Sequence, residues 1–377
     1  EDQSDDITVV YLDRYEKGVR GNVYRRLGSA STERSRQCMD DGLEVKFWGT
    51  RGSLAAPFPD RMEFGGNTSC VSVRWKHGIA VFDGGTGMAA FGKSLEAAIE
   101  RGEWDRTDPV FVFVSHVHLD HVAGIPLLPC LFRKGAFVEF FGPAWAGEGF
   151  GQRLSKVLGP PYWPVAVDRV TAGIRWHDVG QETRWILQGG ARVSAMRANH
   201  PDGGYIYRLE YGGQSVVYGL DCELGERQGG PEGGIRGETQ EEPGRQNTGW
   251  EGETKEPMGS PDHESEGERL EAPDFWHQYR AFARDCSLLI FDAPYTKENY
   301  PRHAGFGHSY WQQGLAMARW CNAGYLSICH HDWNRTDTEL RAMERELKEK
   351  ARDWGRPVEF AREGARISLG NRKERNV

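Results

Sequence analysis

The sequence contains no long hydrophobic run, and nothing in it approaches the roughly 18 consecutive apolar residues of a membrane-spanning helix. No signal-peptide pattern opens the chain, so we expect a cytoplasmic protein that does not work at a membrane. The seven cysteines are odd in number and include no C-x-x-C pair. This usage argues against a disulfide framework and a zinc ribbon, and it favours free thiols in a reducing compartment.

Apolar residues are also scarce, at 38% of the chain. The deficit is concentrated in residues 223–271, which carry a net charge of −9 against −8 for the whole chain. Such a segment cannot bury enough apolar surface to offset its ordering entropy. We predict a disordered acidic insertion, which either acts as a flap or partner tether or has no function.

Four residues of metal-binding types occupy six positions of one short segment: His116, His118, Asp120 and His121. Neutral imidazole is the commonest biological metal ligand. The apolar residues 109–115 before the segment predict a buried strand, and residues 122–132 after it predict a helix. The histidines thus begin where a strand ends, a usual place for a site in an α/β sheet. A His-x-His pair on an exposed loop is often incidental, but four ligand types this close together favour a metal site.

The segment resembles the His-x-His-x-Asp-His signature of the metallo-β-lactamase superfamily. Other matching pieces follow the family's order, at residues 47–53, 65–71, 82–87, 198–201, 217–221, 290–295, 307–309 and 329–332. The resemblance covers residues 43–369, interrupted by the acidic insertion, and leaves out a polar N-terminal extension (1–42) and a tail (370–377). It implies an α/β fold in which two βαβ halves form an αββα sandwich with two metals at the sheet edge.

Carried over residue by residue, the resemblance implies a set of seven ligands. The first metal would be bound by His116, His118 and His200, the second by Asp120, His121 and His330, and Asp221 would bridge the two. His and Asp accommodate zinc, manganese and iron, and we expect two divalent cations, zinc first. The outlying ligands each follow a predicted strand, which favours metal binding over the ordinary role of a partly buried histidine.

Two assignments around the ligands stay open. His331 adjoins His330, and we assign ligation to His330 because it directly follows a predicted strand, although the two can be exchanged. A ligating histidine also needs an acceptor for its second N–H group. Asp83 and Asp292 are candidates, and Asp83 is equally plausible as a turn residue.

Metals about 3.5–4 Å apart can share a bridging water and lower its pKa toward neutrality. An anionic phosphodiester gains most from such a clamp, because its transition state spreads charge over several oxygens. We therefore predict hydrolysis by a metal-bridging hydroxide, with Asp120 both binding the second metal and orienting that hydroxide.

Gly307-His308-Ser309 and the predicted helix 311–320 resemble the ribonuclease Z and cyclic phosphodiesterase branch. This resemblance implies that His308 is the general acid for the leaving oxygen. The alternative is a helix-start residue beside an N-cap Ser309. Tyr310 and Asp292 depart from the ribonuclease Z pattern, which usually has Thr and Glu there. Arg51 is a candidate for binding a substrate phosphate, or else a surface arginine in a glycine turn.

Charge bears on the substrate. Long nucleic acid is held mainly through phosphate contacts, yet basic residues cluster only at 20–36 and 372–375, and the acidic insertion repels a polyanion. We therefore favour a small or cyclic phosphodiester over structured RNA. The alternatives are a lactone or thioester hydrolase that uses the same metals and a non-catalytic binding scaffold. The sequence leaves a homodimer open.

Overall fold

A computed structural model of the chain describes residues 42–166, 169–180, 183–225 and 272–370. The N-terminal extension up to residue 41, most of the acidic insertion, and the tail from residue 371 lie outside these ranges. Predictions made for those segments therefore remain predictions. Within the described ranges, no helix is both long and apolar enough to cross a membrane.

The described residues contain sixteen strands. They are β1 (Leu43–Gly49), β2 (Arg51–Gly52), β3 (Cys70–Trp75), β4 (Gly78–Phe82), β5 (Val110–Phe113), β6 (Phe137–Pro143), β7 (Gly173–Val179), β8 (Arg184–Ile186), β9 (Arg192–Arg197), β10 (Tyr205–Tyr211), β11 (Gln214–Gly219), β12 (Leu288–Asp292), β13 (Leu326–Cys329), β14 (His331–Asp332), β15 (Val358–Phe360) and β16 (Arg366–Leu369).

The same ranges contain six α-helices. They are α1 (Met88–Glu100), α2 (Leu119–Val122), α3 (Phe150–Val157), α4 (Ala272–Ala283), α5 (Trp311–Trp320) and α6 (Asp337–Lys350).

The strands form two seven-stranded sheets, in the orders β16-β1-β3-β4-β5-β6-β7 and β15-β13-β12-β11-β10-β9-β8. Strands β4 to β7 run parallel in the first sheet, and β11, β12, β13 and β15 run parallel in the second. The remaining pairs within these two sheets are antiparallel, and β2 and β14 form a separate, parallel two-stranded sheet. Strands β4, β5, β12 and β13 are buried along their whole length, as expected for parallel strands covered on both faces.

Three apolar clusters define the layers. One lies between the sheets and joins residues such as Phe47 and Phe82 to Tyr207 and Ile290. A second packs α1 and α3 on the outer face of the first sheet, and a third packs α4, α5 and α6 on the second. This arrangement confirms the predicted α/β fold, an αββα sandwich.

Two predicted segments need correction. Residues 122–132 do not form one helix. After α2 they make two short 3₁₀ turns (Ile125–Leu127 and Pro129–Phe132), because Pro126 and Pro129 cannot donate the helical hydrogen bonds. Residues 223–225, which composition assigned to the disordered insertion, are described, and Glu223 and Leu224 are buried.

Candidate metal centre

The predicted ligands meet at the carboxyl ends of the parallel strands. His116 and His118 follow β5, and Asp120 and His121 lie on α2. The other three follow β9, β11 and β13: His200, Asp221 and His330. The ligand atoms form two groups, His116-His118-His200-Asp221 and Asp120-His121-Asp221-His330, and within each group they lie no more than 4.8 Å apart. All seven residues are thus brought together, with Asp221 common to both groups.

The group that contains Asp120 is the more buried. Nε2 of His121 lies 3.2 Å from Oδ2 of Asp120 and 3.2 Å from Oδ1 of Asp221. Nε2 of His330 lies 3.3 Å and 2.9 Å from the same two oxygens. The backbone N–H of Ser53 donates to Oδ2 of Asp120 over 2.7 Å. Two imidazoles and two carboxylates therefore converge on one small volume.

The other group opens toward solvent. The ring of His116 lies 4.3 Å from that of His118 and 4.6 Å from that of His200, between centroids. Nε2 of His116 lies 3.4 Å from Oδ2 of Asp221. Nε2 of His118 lies 2.8 Å from Oδ2 of Asp202, which leaves Nδ1 of His118 as the nitrogen available to a metal. Asp202 was not among the residues predicted from the sequence, although it lies only two residues after a predicted ligand.

Unpaired polar atoms test whether this cluster fits divalent cations. Nε2 of His116, Nε2 of His121, Nδ1 of His200 and Oδ1 of Asp221 are buried and, although histidine nitrogens lie as close as 2.9 Å to Oδ1 of Asp221, none of the four atoms makes a hydrogen bond of good geometry. Buried polar atoms normally have partners, because leaving them unpaired costs free energy. Imidazole nitrogens and carboxylate oxygens are ligands suited to zinc, manganese and iron. The residues present fit a pair of such cations.

The electrostatics distinguish the two groups. Burial lowers the pKa of His116 well below its ordinary value and that of His200 to about 4. Burial also acts on His121 and His330, but the neighbouring carboxylates, chiefly Asp221, outweigh it and hold both pKa values well above the usual range.

Both candidate acceptors for the second histidine nitrogen are in place, on different histidines. Nδ1 of His121 lies 2.6 Å from Oδ2 of Asp83. Nδ1 of His330 lies 3.2 Å from Oδ1 of Asp292. Asp83 itself receives the backbone N–H of Ser115 over 2.7 Å and the hydroxyl of Tyr218 over 2.8 Å. Asp83 is therefore more than a turn residue, and both aspartates named from the sequence lie beside the second nitrogen of a predicted ligand.

Three of these residues have a backbone conformation that L-amino acids rarely adopt. Asp83, Asp221 and His330 have φ values of 58°, 50° and 60°, and each follows a buried strand. A left-handed residue costs about 1–3 kcal/mol unless its surroundings hold it. At each of these positions the left-handed turn directs the side chain toward the cluster. No local sequence pattern predicts the positive φ value.

Two motif glycines make room for the histidine rings. A Cβ atom at Gly52 would lie 2.3 Å from Cε1 of His330. At Gly307, where φ is +86°, it would lie 2.2 Å from Cδ2 of His200. Any side chain at either position would displace a predicted ligand, which explains why glycine stands there.

His308 lies beside the cluster. Its Nδ1 is 3.1 Å from Oδ2 of Asp292, and its ring stacks 4.9 Å from that of His330. Burial lowers the pKa of His308, but Asp292 and Asp221 outweigh that effect and raise it. The N-cap of α5 is Tyr310 rather than Ser309. The hydroxyl of Ser309 instead donates to the carbonyl of Cys222 over 2.7 Å.

Arg51 does not occupy the place expected of a substrate ligand. Its side chain is fully buried, and its guanidinium donates to the carbonyls of Gly65, Arg61, Asp332 and Arg335 over 2.7–3.1 Å. Arg51 also pairs with His331 where β2 and β14 run parallel. The predicted phosphate contact is therefore wrong, because the donors of Arg51 already hold two loops together.

His331 faces away from the cluster. Its Nε2 lies 2.8 Å from the carbonyl of Ala361, and its ring packs against Phe64 and Phe360. Burial lowers the pKa of His331 to about 3. Of the two neighbouring histidines, His330 is the one that meets the predicted ligands.

The six described cysteines are buried free thiols, as predicted. Cys222 and Cys329 follow and precede predicted ligands, and both are core packing residues. Cys38 lies outside the described residues.

Comparison with known proteins gives a family match and several relatives. Residues 80–234 match the model of the β-lactamase superfamily domain. Ribonuclease BN of Citrobacter koseri is 28% identical over 177 residues, which are 45% of this chain and 50% of that protein. The chain thus spans about half the length of the curated relatives it matches.

Two solved structures have a similar fold. The metallo-β-lactamase fold protein YhfI from Bacillus subtilis matches with a TM-score of 0.54 and 16% identity, over 87% of this chain and 100% of that one. A diphosphatase from the PhnP family matches with a TM-score of 0.52 and 14% identity, over 86% and 97% of the two chains. At these identities the likeness concerns the fold alone.

Proposed function

We propose that this chain, which carries a β-lactamase superfamily domain in the metallo-β-lactamase fold, is a metal-dependent hydrolase of a small or cyclic phosphodiester. The observation that carries the proposal is the pair of ligand groups that share Asp221, with His308 beside them. A ribonuclease among the sequence relatives supports hydrolysis at phosphorus.

In this proposal, His116, His118 and His200 would hold one divalent cation, Asp120, His121 and His330 would hold the other, and Asp221 would serve both. When bound, such a cation pair would supply an activated water near neutral pH and offset charge on the attacked phosphate. Asp83 and Asp292 orient the imidazoles of His121 and His330, so that the donor set is already arranged before substrate arrives.

His308 supplies the proton for the leaving oxygen. Asp292 holds Nδ1 of His308, so Nε2 is the nitrogen left to donate. The same carboxylate lies beside His330, which fixes the acid relative to the ligands. General acids of this kind contribute on the order of 10²–10⁴-fold to the rate.

The rim of the cluster supports a small substrate. Ten large apolar side chains are exposed in the described part of the chain. Four of them lie within three residues of a predicted ligand or of His308, or pack on the turn after His200: Leu119, Trp145, Phe306 and Trp333. A fifth, Leu54, follows Ser53, whose N–H donates to Asp120. Apolar surface concentrated around a site suits an aromatic or aliphatic substituent of the substrate. A polyanion would instead require a basic rim.

Hydrolysis of bis(p-nitrophenyl) phosphate by metal-quantified protein tests the proposal, with Asp120→Ala as the control variant. We expect turnover with about two metals per chain and loss of turnover in the variant, without loss of the fold. Bound metal without turnover would redirect the search to lactones and thioesters. Absence of bound metal would refute the metal centre itself.

A further inference from the structure

We propose that Glu223 is a positioning residue that holds His308 beside the metal ligands. The inference rests on the proposed function, in which His308 is the general acid. It concerns residues 221–225, called here the 221–225 segment, and residues 300–309, called the His308 loop.

The carboxylate of Glu223 is buried and accepts several donors, all from the His308 loop. The hydroxyl of Tyr300 donates to Oε1 over 2.6 Å. The backbone N–H of Gly305 lies 2.8 and 2.9 Å from the two oxygens, and that of Gly307 lies 3.0 Å from Oε2. Glu223 itself is only 8% exposed, so water does not substitute easily for these partners.

The glycines of the His308 loop are arranged to receive an anion. Gly305 and Gly307 have φ values of 89° and 86°, and both direct their N–H groups at the same carboxylate. Backbone N–H groups that converge in this way form an anion-binding concavity. The occupant here is a side chain of the protein itself, and it fixes the residue immediately before His308.

The 221–225 segment is joined to the far side of His308 as well. The hydroxyl of Ser309 donates to the carbonyl of Cys222 over 2.7 Å and accepts the N–H of Leu224 over 3.0 Å. Gln313 on α5 donates to the carbonyl of Gly225 over 2.6 Å. The loop is therefore held on both sides of its histidine by the segment that begins with Asp221.

The 221–225 segment is also hydrogen-bonded to a neighbour of a predicted ligand. The N–H of Glu223 donates to the carbonyl of Asn199 over 3.0 Å, and Nδ2 of Asn199 donates to the carbonyl of Glu223 over 2.8 Å. Asn199 directly precedes His200, and Glu223 lies two residues after Asp221. Glu223 thus links the His308 loop to the strand ends that carry the predicted ligands.

Replacement of Glu223 is expected to loosen the acid without removing a ligand. Glu223→Ala removes both acceptor oxygens. Glu223→Gln keeps one acceptor oxygen but places its side-chain NH₂ group, a donor, against the N–H groups of the His308 loop. We expect intact metal content. We also expect about 10- to 100-fold slower cleavage of a dinucleoside monophosphate, whose leaving group is a poor one, and little change with bis(p-nitrophenyl) phosphate. The effect of Glu223→Gln should be the smaller.

A matched control is available in Glu344, a buried carboxylate that accepts the backbone N–H of Phe360 over 3.2 Å away from the metal cluster. Glu344→Gln should slow both esters equally or not at all. In a His308→Ala background, Glu223→Ala should cause no further loss on the dinucleoside monophosphate, because residues that act through one group are not additive. Equal slowing of both esters, or additive losses, would overturn the inference.

A second measurement does not depend on turnover. Amide hydrogen exchange of the metal-loaded protein should accelerate by about 10-fold or more across residues 300–309 in Glu223→Ala but not in Glu344→Gln. The imidazole nitrogen resonances of His308 should shift at the same time. If the wild-type protein cleaves neither ester, the proposed function fails, while these two readouts still decide whether Glu223 holds His308. Unchanged exchange and unchanged resonances would refute that role.

Discussion

Nδ1 of His121 lies 2.6 Å from Oδ2 of Asp83, and the hydroxyl of Tyr218 donates to that same oxygen over 2.8 Å. Asp83 and its tyrosine partner come from different sheets, since Asp83 follows β4 and Tyr218 lies on β11. All three side chains are buried. The orientation of His121 is therefore set by the packing of the sandwich itself.

Asp83→Asn is expected to weaken metal binding without unfolding the domain. An amide is a weaker acceptor for the imidazole N–H, and loss of such a partner typically costs about 10- to 100-fold in metal affinity. Titration against a chelator measures the effect. Asp353→Asn, at an exposed position that pairs with Arg319, should bind metal as the wild type does. Equal affinities for Asp83→Asn and wild type would contradict the orienting role.

His308→Ala is expected to discriminate between substrates by their leaving groups. An ester whose leaving group is an alkoxide needs the proton, and its cleavage should slow on the order of 100-fold or more. Nitrophenolate leaves without protonation, so its ester should slow far less. Steady-state kinetics on metal-quantified protein checks the ratio. Equal slowing of the two esters would remove His308 from the acid role.

Arg51→Met should destabilise the protein and leave substrate affinity unchanged. The substitution leaves four buried or partly buried carbonyls without their donor, which costs roughly 3 kcal/mol or more in total. Chemical denaturation of the metal-loaded protein measures the loss. Arg101→Met, which removes an exposed pair with Glu103, should cost almost nothing. A raised KM with an unchanged free energy of unfolding would instead indicate that Arg51 contacts the substrate.

Truncation of the apolar rim should affect substrates that carry an aromatic ring. Phe306→Ala and Trp333→Ala are each expected to raise KM for bis(p-nitrophenyl) phosphate by about 3- to 10-fold, since stacking on an aromatic side chain is worth roughly 1 kcal/mol. Tyr162→Ala serves as the control, because Tyr162 is 79% exposed and lies outside the rim. An unchanged KM in both rim variants would show that the substrate does not reach these side chains.

Much of the fold and the ligand set could be predicted because both depend on local patterns. The apolar runs of β5, β11 and β13 predict strands. Residues that directly follow parallel strands meet at one sheet edge. The histidines and aspartates at those positions could therefore be grouped before any distance was known, because the family resemblance implies them as ligands and their placement after predicted strands agrees.

Two of the misses, Arg51 and Glu223, share a physical cause, which is that they depend on contacts between distant parts of the chain. The four carbonyls around Arg51 come from residues between 61 and 335, and nothing near residue 51 indicates them. Glu223 looked like the start of an acidic insertion because its own neighbours are acidic and glycine-rich. Its partners, however, lie about eighty positions further along the chain.

The spread of the ligand set also has a consequence for biosynthesis. The four residues between 116 and 121 leave the ribosome first, Asp221, which belongs to both groups, is made a hundred residues later, and His330 a further 109 positions on. A nascent chain therefore presents an incomplete set of the proposed ligands until residue 330 has been made. In the proposed centre, binding of both cations would have to wait until β13 has joined its sheet.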